Sequence, residues 1–424
     1  GVRSGHVGNG RLVNVEILAV GTELLLGQIV NSNATAIAQR LADRGFSHHR
    51  QTVVGDNAER MAEAISQAIG RSDALIITGG IGPTQDDITR EVLAEVAGVP
   101  LIHDDAYADA MRQRWQSLGR DFPSSNLRQA YRPEGAEVVR NDKGSAPGFL
   151  VEIDGCWVAS LPGVPAEMLP MLDEQVLPFL QGLSGDADGV VMSRLIRSWG
   201  MSEAAVGELF EDLFGTSENP TVAFLASSGE IKVRLTARAA TPEAARSLID
   251  PLEAVVRERL GSHVFGADDD TIEAVIHQML VERHWTVGTA ESATGGMIAG
   301  RLTSVPGCSV TFRGSIVSYA PDVKTSLLGV PEAAMDAHGV VSEETALEMA
   351  RGARSRLGVD VAVSVTGSAG PDPLERDVGT MCVAVATPTL ERVRTLRMPG
   401  DRERVRTYTA TAALHHLRLA IAAS

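Results

Sequence analysis

Hydrophobic and polar positions along this chain fall into three successive blocks of alternating strand-like and helix-like pattern. The first block opens with Val15-Glu16-Ile17-Leu18-Ala19-Val20, then Gly21-Thr22-Glu23-Leu24-Leu25-Leu26-Gly27, then a helical pattern over 34–41. A second helical stretch, 59–69, feeds the run Ala74-Leu75-Ile76-Ile77-Thr78, which stops at Gly79-Gly80. Strand, helix and strand in alternation, with glycines at strand ends, predict an open parallel sheet covered by helices. In such sheets ligands bind at the carboxyl ends of the strands.

Gly182-Leu183-Ser184-Gly185-Asp186 reads as a linker. Beyond it the pattern predicts a strand over 190–197, a helix over 202–214, strands over 221–225 and 231–239, a helix over 242–260 and a short strand over 263–265. That order is a small α+β domain of split β-α-β form. It shows no catalytic cluster, and the Gly-x-x-Gly loop of a KH-type nucleic-acid module is missing, so a spacer or dimerisation role is expected. The third block predicts a helix over 271–283, a strand over 286–290, a helix opening near Ala293, a helix capped by Ser342, a strand over 359–365 and a last helix over 402–422. The expected domains are therefore 1–182, 183–266 and 267–424, in an α/β chain with no repeat at solenoid periods.

Composition narrows the function. At 424 residues the chain is long enough for about three domains, and it has no apolar run of membrane-spanning length. Gly1 to Asn14 carries no signal-peptide core, so a processed or tagged, cytoplasmic protein is expected. A net charge of −16 disfavours nucleic acid as the main partner. Cys156, Cys308 and Cys382 fit neither a disulfide framework nor a zinc spacing and read as free thiols.

Lysine usage points to chemistry. Against 35 arginines the chain has three lysines, and Lys324 is the only one after Lys232. A cation that must lose its proton cannot be arginine. Lys324 follows Ser318-Tyr319-Ala320-Pro321, downstream of Ala290-Glu291-Ser292-Ala293-Thr294-Gly295-Gly296. Ser292 with Lys324 suggests a serine nucleophile and a lysine base. The pattern by itself leaves Lys324 open as a surface residue and Ser292 as a helix cap. As a base, Lys324 needs its pKa brought from about 10.4 to near neutral, a bias of about 4 kcal/mol, which burial can supply. Amides of the helix start beside Ser292 are candidates for an oxyanion site. Tyr319 is a candidate proton relay or a packing aromatic. Thr366-Gly367-Ser368-Ala369-Gly370-Pro371 offers closely spaced amides for a phosphate.

In the first block, Thr78-Gly79-Gly80-Ile81-Gly82-Pro83-Thr84-Gln85-Asp86-Asp87 combines a glycine-rich nest for phosphate with two carboxylates able to hold a hard divalent cation. Glu23 and Asn33 would face the same crevice. Asp86 and Asp87 have a plainer role as acids at a helix N-terminus.

The third block, through Ala290 to Gly296, Gly307-Cys308-Ser309, Tyr319, Lys324, Gly339-Val340-Val341-Ser342, Thr366 to Pro371 and Val378-Gly379-Thr380, resembles the C-terminal nicotinamide-nucleotide amidohydrolase domain of the CinA family. The resemblance implies that Ser292 attacks the carboxamide of nicotinamide mononucleotide, Lys324 is the base and Tyr319 assists, releasing nicotinate mononucleotide and ammonia with no cofactor. It implies substrate contacts at Thr294, Gly295, Gly296, Thr366, Gly367, Ala369 and Gly370. Two departures stand out: Ala293 where the family usually has cysteine, and Ser368 where it has isoleucine, with Asp372-Pro373 in place of a Gly-rich tail. The first block, through Gly21 to Gly27, Gly79 to Thr89, Asn126 to Ala130, Gly144 to Gly148 and Leu161 to Met168, is similar to the molybdopterin-binding fold of MoaB and MogA in its CinA variant. That implies ADP-ribose cleavage aided by a divalent metal (magnesium, manganese or cobalt) on Asp86 and Asp87. Substrate contacts would come from Glu23, Asn33, Gly79, Gly80, Gly82 and Thr84. The implied protein is a two-site enzyme of pyridine-nucleotide recycling, expected as a homodimer. The competing readings are a nucleotide-binding scaffold in competence or DNA damage, and a molybdopterin-binding protein.

Overall fold

The structure is a computed structural model and describes residues 13–117, 119–183, 190–213, 218–227 and 229–424. Residues 1–12, Ser184, Gly185 and Asp186 of the expected linker, and Phe214 at the end of an expected helix lie outside the described residues. The chain divides into two compact units, Gly1–Ser193 with Thr236–Leu248, and Arg194–Leu235 with Ile249–Ser424.

The first sheet is built from β1 (Asn14–Val20), β2 (Ser47–Val54), β3 (Ala74–Thr78), β6 (Glu137–Val139), β7 (Gly148–Ile153) and β8 (Cys156–Leu161), with β4 (Leu101–His103) and β5 (Tyr131–Pro133) forming a separate pair. Its order is β2-β1-β3-β8-β7-β6. The contacts of β1 with β2 and β3, and of β3 with β8, are parallel, whereas β7 and β6 are antiparallel additions. The expected all-parallel sheet is thus a mixed one. The reason is local: Asp154 and Gly155 have φ of 50° and 82°, and two successive positive φ values make the tight turn that folds β7 back onto β8.

The central strands are apolar on both faces because both are covered. Leu18, Leu75 and Ile77 pack with Met61 and Ile65 of α3 (Ala58–Ile69) and with Val92 and Leu93 of α4 (Thr89–Ala97). Val15, Ile17 and Ile76 pack instead with Ile37 and Leu41 of α2 (Ser32–Asp43), and with Met168 of α6 (Pro165–Met171) and Leu177 of α7 (Leu177–Leu183). A short helix α1 (Thr22–Leu25) and the surface helix α5 (Asp105–Ser117) complete the domain. Alternation between two covered faces accounts for the unbroken apolar runs.

The middle segment runs β9 (Val190–Trp199), α8 (Glu203–Leu209), β10 (Thr221–Ser227), β11 (Glu230–Ala239), α9 (Pro242–Leu260) and β12 (Val264–Ala267), in a sheet of order β10-β11-β9-β12. This is the split β-α-β order that the periodicity predicts.

The last segment holds α10 (Ile272–Arg283), β13 (Val287–Glu291), α11 (Met297–Thr303), β14 (Phe312–Val317), α12 (Pro321–Val323), α13 (Glu332–His338), α14 (Glu343–Leu357), β15 (Val361–Gly367), β16 (Thr380–Ala386), β17 (Glu391–Arg397) and α15 (Arg402–Ala423). The sheet order is β14-β13-β15-β16-β17. Its first three strands are parallel and its last two antiparallel. One face packs on α10 and α15 through Ile276, Leu280, Val363, Val383, Leu414 and Leu417. The other meets α14 through Met349, Ala353, Ala362 and Ala384. Among the described residues no helix is long and apolar enough to cross a membrane.

Gly79 shows how tightly the first sheet closes at the carboxyl end of its strands. Its φ is 103°, and a Cβ there would lie 2.3 Å from the carbonyl oxygen of Val20. Both the backbone angle and the contact exclude a side chain. Gly79→Ala is expected to lower unfolding stability by at least about 2 kcal/mol, read as a reduced urea midpoint.

Candidate functional sites

In the last domain three parallel strands end in register. Glu291 lies opposite both Val317 and Val365, so Ser292, Ser318 and Thr366 all fall at the carboxyl edge of the sheet. The flanking strands β14 and β15 lie on opposite sides of β13, which makes this the switch point where such sheets bind ligands. The Ser292 amide donates to the Val365 carbonyl at 2.9 Å, and the Ser318 amide to the Glu291 carbonyl at 2.9 Å.

Lys324 reaches into this edge from the turn after α12 and is fully buried. Its Nζ lies 2.9 Å from Ser292 Oγ and donates to the carbonyls of Ser318 at 2.6 Å and Tyr319 at 3.2 Å. Burial lowers its pKa to about 8. As an ammonium the amine donates to all three oxygens; once it loses a proton, the two carbonyls can still accept from it and the serine hydroxyl can donate to its lone pair.

The helix-start amides expected to serve an oxyanion are already taken. The helix begins at Met297, not near Ala293, and the Glu291 carboxylate accepts from the amides of Gly296 at 2.9 Å, Ile298 at 3.1 Å and Ala299 at 2.8 Å. Glu291 is completely buried. A carboxylate at a helix N-terminus satisfies donors that would otherwise be orphaned, and here it fixes the turn carrying Ser292. The amides of Ala293 and Thr294 find no acceptor among the described residues and are the free donors nearest in sequence to the Ser292 hydroxyl. Arg406 holds the same turn from the other side, donating to the carbonyls of Ala293 at 2.9 Å and Thr294 at 3.0 Å.

Beside Ser292 lies a cavity of about 300 Å³ lined by Ala293, Tyr319, Val340, Val341, Thr366, Gly367, Ala369, Gly370, Asp372 and Arg402, among others. Thr294, Gly295 and Gly296, expected as substrate contacts, do not line it; they belong to the turn behind Ser292. Tyr319 is 60% exposed and its hydroxyl accepts from Arg402 at 2.9 Å. It lines the cavity and is no core aromatic, and it touches Lys324 through its backbone carbonyl. Arg402, which also donates to the Gly370 carbonyl, was not singled out by sequence reasoning. Nothing local marks it except its place in the first turn of α15, after the cap Asp401.

In the first domain, a cavity of about 390 Å³ opens where β1 and β3 end. Gly79, Gly80, Gly82, Asp86, Asp87 and Glu23 line it, together with Asp56 and Glu167. Asn33 sits in an adjoining cavity shared with Glu23 and donates to Thr78 Oγ1 at 2.9 Å and to the Gly163 carbonyl at 2.7 Å. Thr84 is occupied in the turn itself, its amide donating to Asp87 at 2.8 Å. Arg90, buried, and Arg128 take up carbonyls of the same loop, at Ile81 and Gly82 and at Thr84 and Asp87 respectively. Three of the carboxylates are engaged: Asp56 by Thr22 at 2.9 Å, Glu167 by Asn141 at 2.6 Å, and Asp87 by Thr84. Among the described residues no three His, Cys, Asp or Glu side chains stand close enough to hold a metal ion. Asp86 and Asp87 therefore do not make a resident metal centre by themselves.

Comparison with known proteins places these sites in a family. A CinA-like protein of Frankia casuarinae is 46% identical over 419 residues, covering 97% of this chain and 96% of the relative. The chain belongs to the CinA family. A CinA-like protein of Gloeobacter violaceus is 44% identical, covering 96% of each chain. Residues 269–421 match the CinA C-terminal domain, 16–182 the family described as "Probable molybdopterin binding domain", and 193–266 the damage-inducible protein CinA KH domain. The middle segment, expected as a spacer or dimerisation domain, thus matches a KH-domain model, and does so without the Gly-x-x-Gly loop, which the matched segment lacks. Among solved structures, the protein CinA of Thermoplasma acidophilum is 32% identical, covering 39% of this chain and 98% of that one with a TM-score of 0.37. The competence damage-inducible protein A of Klebsiella pneumoniae is 29% identical, covering 36% and 95%, with a TM-score of 0.35.

The carboxylate of Glu291 is the support that the CinA-family turn at Ser292 depends on. Glu291→Ala is expected to destabilise the protein by about 3 kcal/mol or more, since it strands buried amides without an acceptor. Chemical denaturation measures the loss.

Proposed function

We propose that the last domain is a serine–lysine amidohydrolase acting on the carboxamide of nicotinamide mononucleotide. The observation that carries this reading is the 2.9 Å contact between Ser292 Oγ and a buried Lys324 whose remaining partners are uncharged carbonyls. A neutral Lys324 accepts the Ser292 proton as Oγ attacks the carboxamide carbon, and the carbonyl oxygen takes the negative charge. The free amides of Ala293 and Thr294 are the candidate donors to that oxyanion. Collapse breaks the carbon–nitrogen bond, Lys324 returns the proton to the departing nitrogen, and ammonia leaves an acyl-serine. Water, deprotonated by the same lysine, then frees the nicotinate product and restores Ser292. Arg402 at the cavity mouth supplies a cation for the phosphate.

For the first domain the proposal is cleavage of a nucleotide pyrophosphate of the ADP-ribose class. The glycine-lined crevice supports it, since backbone without Cβ atoms lets phosphates approach amides. Five carboxylates and no arginine or lysine line this cavity, so a pyrophosphate requires cations brought from solution. Asp86 and Asp87, the paired acids of the loop, would hold a divalent ion, whose charge would offset that of the phosphates.

Ser292→Ala is expected to abolish ammonia release from nicotinamide mononucleotide without unfolding; activity within a few fold of the parent would remove Ser292 from the mechanism. Lys324→Arg keeps the charge but cannot accept a proton and is expected to be nearly as inactive. In the parent enzyme kcat/KM should rise with pH through about 8, as the lysine loses its proton. Near pH 7 roughly a tenth of the molecules hold the neutral base, and a profile flat between pH 6 and 9 would contradict this assignment.

Replacing Asp86 and Asp87 together by asparagine is expected to remove cation-dependent binding of ADP-ribose, measured calorimetrically with and without magnesium. Ammonia release should stay near the parent rate. Loss of both activities in a folded protein would require a coupled site instead.

A further inference from the structure

The edge strand β17 carries a second cavity that neither proposed activity uses. Arg392 lies opposite Val385 and Arg394 opposite Val383, so both arginines stand on the same face as two core valines, the face covered by α15. Val393 and Thr395, on the other face, meet the α14 side, where Val393 packs with its core and Thr395 donates to Glu343 at 2.8 Å. Where the strand would be expected to present apolar groups to α15, it presents two guanidinium groups. Along the strand and the helix runs a cavity of about 500 Å³ lined by Val383, Val385, Leu419 and His416, with the two arginines exposed at its side.

Of the charged side chains lining this cavity, Glu391 is held by Arg351 at 2.6 Å. Arg392 and Arg394 have no ion pair or side-chain hydrogen bond among the described residues, and His416 Nε2 is buried without a partner. Burial, and after it the nearby Arg394, lowers the His416 pKa to about 4, so the imidazole is neutral near pH 7 and free to donate or accept one hydrogen bond. Inward charges on an edge strand also discourage pairing with another chain. That role needs neither a void of this size nor an unpartnered imidazole.

We infer that the cavity between β17 and α15 binds a mononucleotide-sized phosphate monoester, its phosphate between Arg392 and Arg394 and its ring on the valine and leucine floor. Two arginines match a phosphate dianion, the apolar floor suits a flat ring, and the volume lies in the range of small-ligand sites. The ligand class is set by charge and shape, and the site is separate from the cavity at Ser292.

Equilibrium binding of adenosine monophosphate to the full chain tests this, with adenosine and inorganic phosphate as comparison probes. The parent should bind one equivalent more than the Arg392→Gln/Arg394→Gln variant, or bind that equivalent about 100-fold more tightly, while ammonia release is the same in both. Leu419→Trp, which fills the floor and leaves the arginines, should also lose the extra equivalent. Unchanged stoichiometry and affinity in both variants would overturn the proposal, as would inorganic phosphate binding as tightly as adenosine monophosphate. Should the double variant fail to fold, the tryptophan variant decides alone.

Discussion

Lys324 Nζ is surrounded by three oxygen atoms, and none of them carries a charge. A buried ammonium normally demands a carboxylate, and removing one partner of such a pair costs several kcal/mol. Here the fold supplies a serine hydroxyl and two main-chain carbonyls, and among the described residues no carboxylate pairs with the amine. Protonation is therefore opposed by burial and helped by no counter-charge, which is why the pKa comes down to about 8. A carboxylate at this spot would have held the lysine charged and made it an anchor. Its absence is what lets the amine next to Ser292 lose its proton within reach of neutral pH.

The rest of the domain can be read as what keeps that arrangement in place. Parallel register brings the ends of β13, β14 and β15 level, so that one strand delivers the serine and the next delivers the carbonyls of Ser318 and Tyr319. The carboxylate that is missing near Lys324 is present one residue before Ser292, but turned the other way: Glu291 spends both oxygens on the amides of Gly296, Ile298 and Ala299. Placed there it stiffens the turn and neutralises the helix start without neutralising the base. Arg406 ties off the turn's carbonyls and leaves the amides of Ala293 and Thr294 as donors.

Much of this was legible in the sequence, for identifiable reasons. The strands β1, β3 and β15 are short apolar stretches that stop at glycine, at Gly21, Gly79 and Gly367, with Glu16 and Ser364 as the breaks in β1 and β15, so strand identity could be read directly. The middle segment's order followed from its periodicity. Rarity of lysine singled out Lys324, because residue choice carries information where arginine is the default cation. What could not be read was pairing at a distance. Asp154-Gly155 is a hairpin signal, yet its effect on sheet polarity depends on which neighbour β8 takes. Glu291 sits inside the motif without announcing that it would occupy the helix amides. Arg402 and Arg406 lie more than a hundred residues from Ser292, and only the docking of α15 brings them to the turn and the cavity.

The two proposed sites obey one topological rule and oppose each other electrostatically. Both open at the carboxyl ends of parallel strands, beside glycines that admit backbone to a ligand. The first is lined by Glu23, Asp56, Asp86, Asp87 and Glu167 with no cation; the second has Arg402 at its mouth and the uncompensated Lys324 beneath Ser292. An anionic nucleotide entering the first must bring positive charge with it, whereas one entering the second meets positive charge already provided by the chain. The same kind of sheet thus carries two edges of opposite charge, because the loops that line each edge, and not the strands, set its sign.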